Sequence, residues 1–398
     1  MATAHAEEHA ALGGRLWTLP FAVLVALAAS GMAVVAYRFW AGIGAVSNLS
    51  DGYPLGIWIA YDVATGTALA CGGYALAFAV YVGNGFRYHG LMRSALLTGL
   101  FGYGLAGFSV LVDLGRYWNL PNLFLHPNPN SVLLEIALCV MSYCVVLGVE
   151  FLPAVCEGAP DTAWGRRLRR LGRALERVLL PVIVLGMTLP TMHQSSLGSL
   201  FLIAGTKLHP FWHTPLLPLL FLVNAVLMGY AVVVFESVTS SYAFGRPYET
   251  EPLAGLGRIA AGAAWAWTLI RAADLAWRAP WAGAGWSMAG WVAAELALTA
   301  LPAAALLAER VRRSPRWLFV TAASLLLGGG LYRMDVYLVG FDPGGGWRYF
   351  PSLAEVWITV GIVALELAGY LFFVKRFPVL PVHRGPAVAE PVLERRAA

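Results

Sequence analysis

The stretch TLPTMHQSSLGSLF, residues 188–201, decides how the chain divides into spans. Just before it, LLPVIVLGM is unbroken hydrocarbon; inside it Thr191, His193, Gln194, Ser195, Ser196 and Ser199 bring hydroxyls, an amide and an imidazole into one run. Read as a boundary, the run ends an apolar helix at His193 and lets its hydroxyls satisfy the orphan carbonyls of the last turn. Read as a site, it keeps a titratable ring at the membrane edge for chemistry.

Composition makes the membrane setting plain. Of the 398 residues, 59% are hydrophobic and 12% charged, with 15 Trp, 16 Tyr and 19 Phe, whereas a soluble domain carries about 25% charged residues. So little charge cannot cover a water-facing surface. The formal net charge of +5 does not point to nucleic acid, because the basic residues sit in short loops between apolar runs.

Ten apolar runs reach spanning length, roughly twenty residues. They lie near 17–40, 56–82, 92–114, 131–155, 175–193, 212–236, 258–278, 286–308, 316–339 and 354–377. Short segments of alternating polarity, the mark of a membrane barrel, are absent. The expected fold class is therefore all-α, a polytopic bundle of about ten transmembrane helices built as two packed bundles with peripheral helices. Residues 1–14 read as a polar N-terminal segment, 15–380 as the transmembrane domain and 381–398 as a C-terminal tail. The first run is too long for the apolar core of a cleavable signal peptide.

With the N-terminus in the cytoplasm, 20 of the 27 Lys and Arg fall on the cytoplasmic side, and this bias sets orientation. Both termini are then cytoplasmic. The cytoplasmic loop EGAPDTAWGRRLRRLGR reads as a stop-and-turn segment without site-like residues. The outer loops, GAVSNLSDGYPLG, GRYWNLPNLFLHPNPN, HQSSLGSLFLIAGTKLHPFW and FDPGGGWRYFPS, are rich in aromatics, Gly and Pro. They suit a rigid docking platform, or interfacial aromatic belts with tight turns.

Ionisable groups inside spans are costly in hydrocarbon and mark function. Asp62, Asp113 with Arg116 and Tyr117, Glu135, His193, Arg271 with Asp274, and Arg333 with Asp335 are expected at one outer depth. The two Arg–Asp pairs read equally well as mutual neutralisation, but Asp62, Glu135 and His193 lack a sequence-local partner. Glu295 and Glu366 fall near mid-membrane, Glu150 and Glu236 near the cytoplasmic ends. Carboxylates at these depths are what a proton path needs, although Glu150 and Glu236 also suit simple contact with the headgroups.

Only His193 of the eight His is placed inside the membrane edge, and the four Cys, 71, 139, 144 and 156, have no CxxC spacing. A paired-imidazole haem could be drawn only between His193 and His213, and His213 follows Pro210 at an interface; an iron–sulfur cluster or a dinucleotide site has no ligand pattern here. The expectation is a chain with no haem, cluster or other metal of its own, whose electrons, if any, come from a partner.

Six segments carry a resemblance: PLGIWIAYDVATGTALACGGYALAFAVYV, LFGYGLAGFSVLVDLGRYWNLPN, NSVLLE, LPTMHQSSLGSL, KLHPFW and FDPGGGWRYFPS. Together, from about Leu12 to Leu380, the chain resembles the NrfD-like membrane subunits, and within them the HybB type of hydrogenase-2-type nickel–iron hydrogenases. The resemblance implies a quinone-reactive anchor in the bacterial inner membrane. A ferredoxin-like iron–sulfur subunit and the [NiFe]-hydrogenase large and small subunits would sit on the periplasmic face, and hydrogen itself would react on those partners. Menaquinone or ubiquinone would be the substrate. On this reading His193, Asp62 and Glu135 act in the proton chemistry. His193, Asp62, Asp113, Arg116, Tyr117 and Ser195 surround the quinone head, and Glu135, Glu295 and Glu366 pass protons. Sister NrfD-like complexes, such as the polysulfide reductase and sulfite-reduction-associated types, share such motifs. A proton or ion transporter without redox chemistry and a passive anchor are the rival classes.

Overall fold

A computed structural model describes residues 9–281 and 285–382. Residues 1–8 and the tail from 383 onward lie outside the described residues. The long helices, numbered in chain order, are α1 (Leu19–Ala41), α2 (Trp58–Val82), α3 (Met92–Asp113), α4 (Val132–Glu157), α5 (Ala163–Glu176), α6 (Leu179–Leu202), α7 (Leu217–Phe244), α8 (Thr250–Arg278), α9 (Trp286–Ala305), α10 (Pro315–Val339) and α11 (Leu353–Arg376). Among the described residues, nine are long and apolar enough to cross a membrane alone; α6 reaches that standard only together with α5, from which it turns by 67°.

The weak span is the opening stretch. The expected helix end at His193 is not there: α6 continues to Leu202 and carries its polar run in its interior. Without water, hydroxyls in such a position must bond within the protein. Thr191 Oγ1 donates to the Met187 carbonyl at 2.8 Å, Ser195 Oγ to Met192 at 2.7 Å and Ser199 Oγ to Ser195 at 3.3 Å. The run thus lowers the hydropathy of α6 without ending it.

Two four-helix bundles result, α2–α3–α4–α6 and α7–α8–α9–α10, joined along α6–α7, α2–α7 and α2–α10. Helix α2 is the least regular. It opens with π turns over Trp58–Thr65, breaks at Ala70–Cys71 and closes with π turns over Phe78–Val82. It is also the most buried. Gly229 of α7 lets the break come close, since a Cβ there would lie 2.6 Å from the Cys71 carbonyl oxygen. Small residues at such crossings let backbones approach in a membrane.

The first and last spans form a separate pair on the flank of the first bundle. Helices α1 and α11 cross at Gly31 and Gly361, where a Cβ on Gly31 would lie 2.6 Å from the Gly361 Cα. Below the crossing, β1 (His9–Ala10) pairs antiparallel with β2 (Leu380–Pro381). Above it, Ser352 caps α11 in a reciprocal box with Glu355, and Arg38 of α1 donates from Nε to the Val112 carbonyl at 2.7 Å, so that α1 also seals the end of α3.

The second bundle is held by charge. Arg271 of α8, with no exposure, donates from Nη2 to Glu295 Oε1 of α9 at 2.6 Å and from Nη1 to the Phe211 carbonyl at 2.7 Å. Trp212 Nε1 donates to the other Glu295 oxygen at 3.3 Å. Asp274 takes Arg278 at 2.6 Å and Thr214 Oγ1 at 2.5 Å.

Two outcomes follow from these contacts. Gly361→Ala lowers the melting temperature of the purified protein through overpacking worth about 1–3 kcal/mol, measured beside Gly107→Ala, whose Cβ meets nothing within 4 Å and which leaves it unchanged. Glu295→Gln destabilises by roughly 3–5 kcal/mol because it strands a buried guanidinium, whereas the apolar double substitution Arg271→Met with Glu295→Leu recovers most of the loss. Thermal unfolding of the four variants checks both.

Candidate functional site

A cleft of about 1030 Å³ runs between the α1–α11 pair and helices α2, α3 and α7. Its walls are apolar, from Phe21 and Leu24 of α1 to Phe101 and Leu105 of α3 and Phe235 of α7. Three carboxyls face into it. Asp62 stands at one end, on the π turns of α2, where Oδ2 accepts from Ser109 Oγ at 3.1 Å and Thr359 Oγ1 at 3.2 Å. Glu236 lies toward the other end, taking Tyr370 Oη at 2.5 Å and Thr98 Oγ1 at 2.8 Å. Glu366 of α11 lies between them, near enough to both for like charges to repel, and has no hydrogen bond among the described residues. Beyond Glu236 the cleft reaches Leu12, Thr18 and Lys375, whose Nζ donates to the Arg15 carbonyl at 2.6 Å.

A second cluster lies inside the first bundle. His193 is fully buried. Its Nε2 sits 2.7 Å from Tyr103 Oη, which also meets Cys71 Sγ at 3.3 Å. Gln194 Nε2 donates to Thr67 Oγ1 at 3.0 Å, and Tyr143 packs edge-on to Tyr103. His193 Nδ1 and Gln194 Oε1 have no partner among the described residues. One turn on, Ser196 Oγ donates to Glu135 Oε1 at 2.8 Å. Glu135 is exposed in the first turn of α4.

The six residues expected around one head group are therefore not one site. Asp62 is on the cleft and His193 is behind it, in the other cluster. Ser195 is turned to the Met192 carbonyl. Asp113 ends α3 with Arg38 and Glu355 as its charged neighbours. Tyr117 stands edge-on to Phe39 of α1, 4.9 Å between centroids, and Arg116 is exposed. Glu295 is absent from the cleft that Glu366 lines, because it is the ion partner of Arg271. Arg333 and Asp335 do not neutralise each other. Arg333 donates to Asn224 Oδ1 and to the carbonyls of Ala64 and Phe221, each at 2.7 Å, while both Asp335 oxygens are buried without a partner among the described residues. Tyr103, Asn224 and Tyr370 carry no charge signal in the sequence and Arg38 was not singled out, while Glu236, which suited either a proton path or a headgroup contact, lines the cleft.

Outside the spans, the loops on the Asp113 side lock together. Tyr53 stacks on Tyr349 at 5.2 Å and donates to the Leu338 carbonyl at 2.9 Å; burial, and then Asp342, push its phenol up to about 12. Tyr349 donates to Glu355 Oε1 at 2.6 Å, and burial followed by that carboxylate raises its pKa too. Both phenols stay neutral donors, and Trp118, Phe124, Trp347 and Phe350 are left exposed around them.

Three relatives resemble the chain over most of its length. It is 40% identical, over 93% of its own length and 94% of the other's, to the Probable Ni/Fe-hydrogenase 2 b-type cytochrome subunit of Escherichia coli K12. It is 35% identical, over 89% and 92%, to a protein of Nitratidesulfovibrio vulgaris Hildenborough. It is 27% identical, over 87% and 88%, to the Menaquinone reductase, integral membrane subunit, of the same organism. The name of the first overturns the expectation that the chain has no haem of its own. The described side chains do not build a paired-imidazole haem site within the bundle: His193 is packed edge-on to Tyr103, His89 is exposed at the start of the third span, and His9, His126, His209 and His213 lie outside the spans.

The model of the family described as Polysulphide reductase, NrfD, matches residues 45–340. With that match and the 40% identity above, this multi-pass membrane chain belongs to the NrfD family.

Proposed function

We propose that this chain is the quinone-reactive membrane subunit of a respiratory oxidoreductase. It passes electrons between a periplasmic iron–sulfur and [NiFe]-hydrogenase module and the menaquinone or ubiquinone pool of the bacterial inner membrane. The observation that carries the reading is the lateral apolar cleft with Asp62 and Glu366 in its wall. A quinone needs an apolar channel for its isoprenoid tail, hydrogen-bonding groups at its carbonyls and two protons for each two electrons. Asp62, steadied by Ser109 and Thr359, supplies a protonatable oxygen at the head, and Glu366 and Glu236 lead from there toward the Lys375 end. General acid–base groups so placed contribute about 10²–10⁴-fold.

The names of the relatives support the electron partners: one is a hydrogenase subunit, another a menaquinone reductase subunit. The Arg-rich loops support cytoplasmic termini, and the locked aromatic loops at the opposite end suit the partner's docking face. Residues 15–380 then form the membrane domain. His193, with Tyr103 and Cys71, holds α2, α3 and α6 in register behind the cleft. Glu135 serves protons from the outer surface.

In membranes containing the whole complex, Asp62→Asn and Glu366→Gln should cut hydrogen-dependent quinone reduction by at least a hundredfold for Asp62, and less for Glu366. Hydrogen oxidation with an artificial dye, which reports the partner, should stay intact. His193→Gln should lower quinone reduction by less than tenfold with its pH profile unchanged. Full activity in Asp62→Asn would refute the cleft as the site, and a loss in His193→Gln as deep as the one expected for Asp62 would move the site to the inner cluster.

A further inference from the structure

The Arg-rich segment between α4 and α6 belongs to neither cleft nor cluster, and its reading as a plain turn is wrong. It is α5, whose N-cap Thr162 Oγ1 accepts from the Gly165 amide at 3.1 Å. Three faces run along it. Gly165 and Gly172 are buried, and a Cβ on Gly172 would lie 2.9 Å from Cys156 Cβ at the end of α4. A quarter turn away by helical geometry, Trp164, Leu168, Leu171, Leu175 and then Val178 form an apolar stripe, with Trp164 64% and Leu171 46% exposed. The remaining face is basic. Asp161 takes Arg169 at 2.9 Å and Arg166 at 3.6 Å. Among the described residues, no carboxylate lies within ion-pair distance of Arg167, Arg170, Arg173 or Arg177.

We propose that α5 is an interfacial helix that binds anionic phospholipid. The four unmatched guanidinium groups hold phosphodiester headgroups, and the stripe from Trp164 to Val178 lies at the acyl boundary. Charge complementarity commits the partner: four guanidinium groups without carboxylates call for several phosphates side by side. The apolar stripe beside them calls for hydrocarbon a few ångströms away, and a bilayer surface offers both at once. A soluble acidic partner would leave the stripe uncovered. The geometry agrees: α5 turns by 67° from α6, an angle large enough for it to lie along a membrane that α6 enters. The glycine face fixes α5 to the bundle, so its arginines need not be ordered by the lipid.

The full-length chain in detergent is titrated with phosphatidylglycerol, with phosphatidylcholine and with inorganic phosphate, and its melting temperature is followed. Phosphatidylglycerol raises the melting temperature of the wild type, and added salt weakens the rise. In the quadruple variant Arg167→Gln, Arg170→Gln, Arg173→Gln, Arg177→Gln, the concentration giving half of the effect increases tenfold or more, since each such charge is worth about fivefold. Equal responses of wild type and variant to phosphatidylglycerol, or a wild-type response to phosphate alone as large as to the lipid, would overturn the proposal. If the variant does not fold, Trp164→Phe gives the second measurement. Brominated phosphatidylglycerol quenches Trp164, seen as quenching lost in the variant; quenching unchanged by the substitution counts against the interfacial placement.

Discussion

The absence of water around the spans is the constraint on which the structure depends, and Arg333 meets it most fully. Its guanidinium has no exposure. It is satisfied by one amide oxygen and one carbonyl from α7 and by the Ala64 carbonyl of α2. A charge in hydrocarbon must find its acceptors in protein, so this side chain ties the last helix of the second bundle to the first helix of the first. The Ala64 carbonyl stands where the π turns of α2 run out. The irregular backbone there is tolerated because it is buried in protein. The same π segment aims Asp62 into the cleft, so the seam between the bundles and the placing of the carboxyl share one cause.

Two kinds of polar centre come from this. Where the partners are complete, as in Arg271–Glu295–Trp212, the charges are structural and resist exchange with solvent. Where they are incomplete the surroundings differ: Glu366 faces the open cleft, whereas Asp335 is buried away from it with neither oxygen bonded among the described residues.

Much of the fold was legible in the residues because hydropathy is additive along a helix. Ten apolar runs correspond to ten helices, with α6 the marginal one. The site was less legible, because depth along a sequence says nothing about direction around a helix. Arg271 and Asp274, three apart, do meet at 3.7 Å, but the stronger partner of Arg271 comes from α9 and leaves no local trace. Arg333 and Asp335, two apart, project to different sides and cannot pair. His193 looked terminal because its neighbours are polar, yet their hydroxyls bond back along α6. Tyr103, which completes the cluster, is in an apolar run and carries no signal that separates it from an ordinary core aromatic.

The pairing of α1 with α11 sets an order of events in biogenesis. Among the described spans, α1 is made before the others and α11 after them, yet each is the other's main packing partner, and β1 waits for β2. Until α11 arrives, α1 lacks its main partner and meets the end of α3, and Gly31 presents bare backbone to the acyl chains. The cleft gains its second wall in the same moment, since Glu366 and Tyr370 arrive on α11. A nascent chain therefore carries both bundles in the membrane before it has an enclosed cleft, and the cleft closes only once α11 has joined α1.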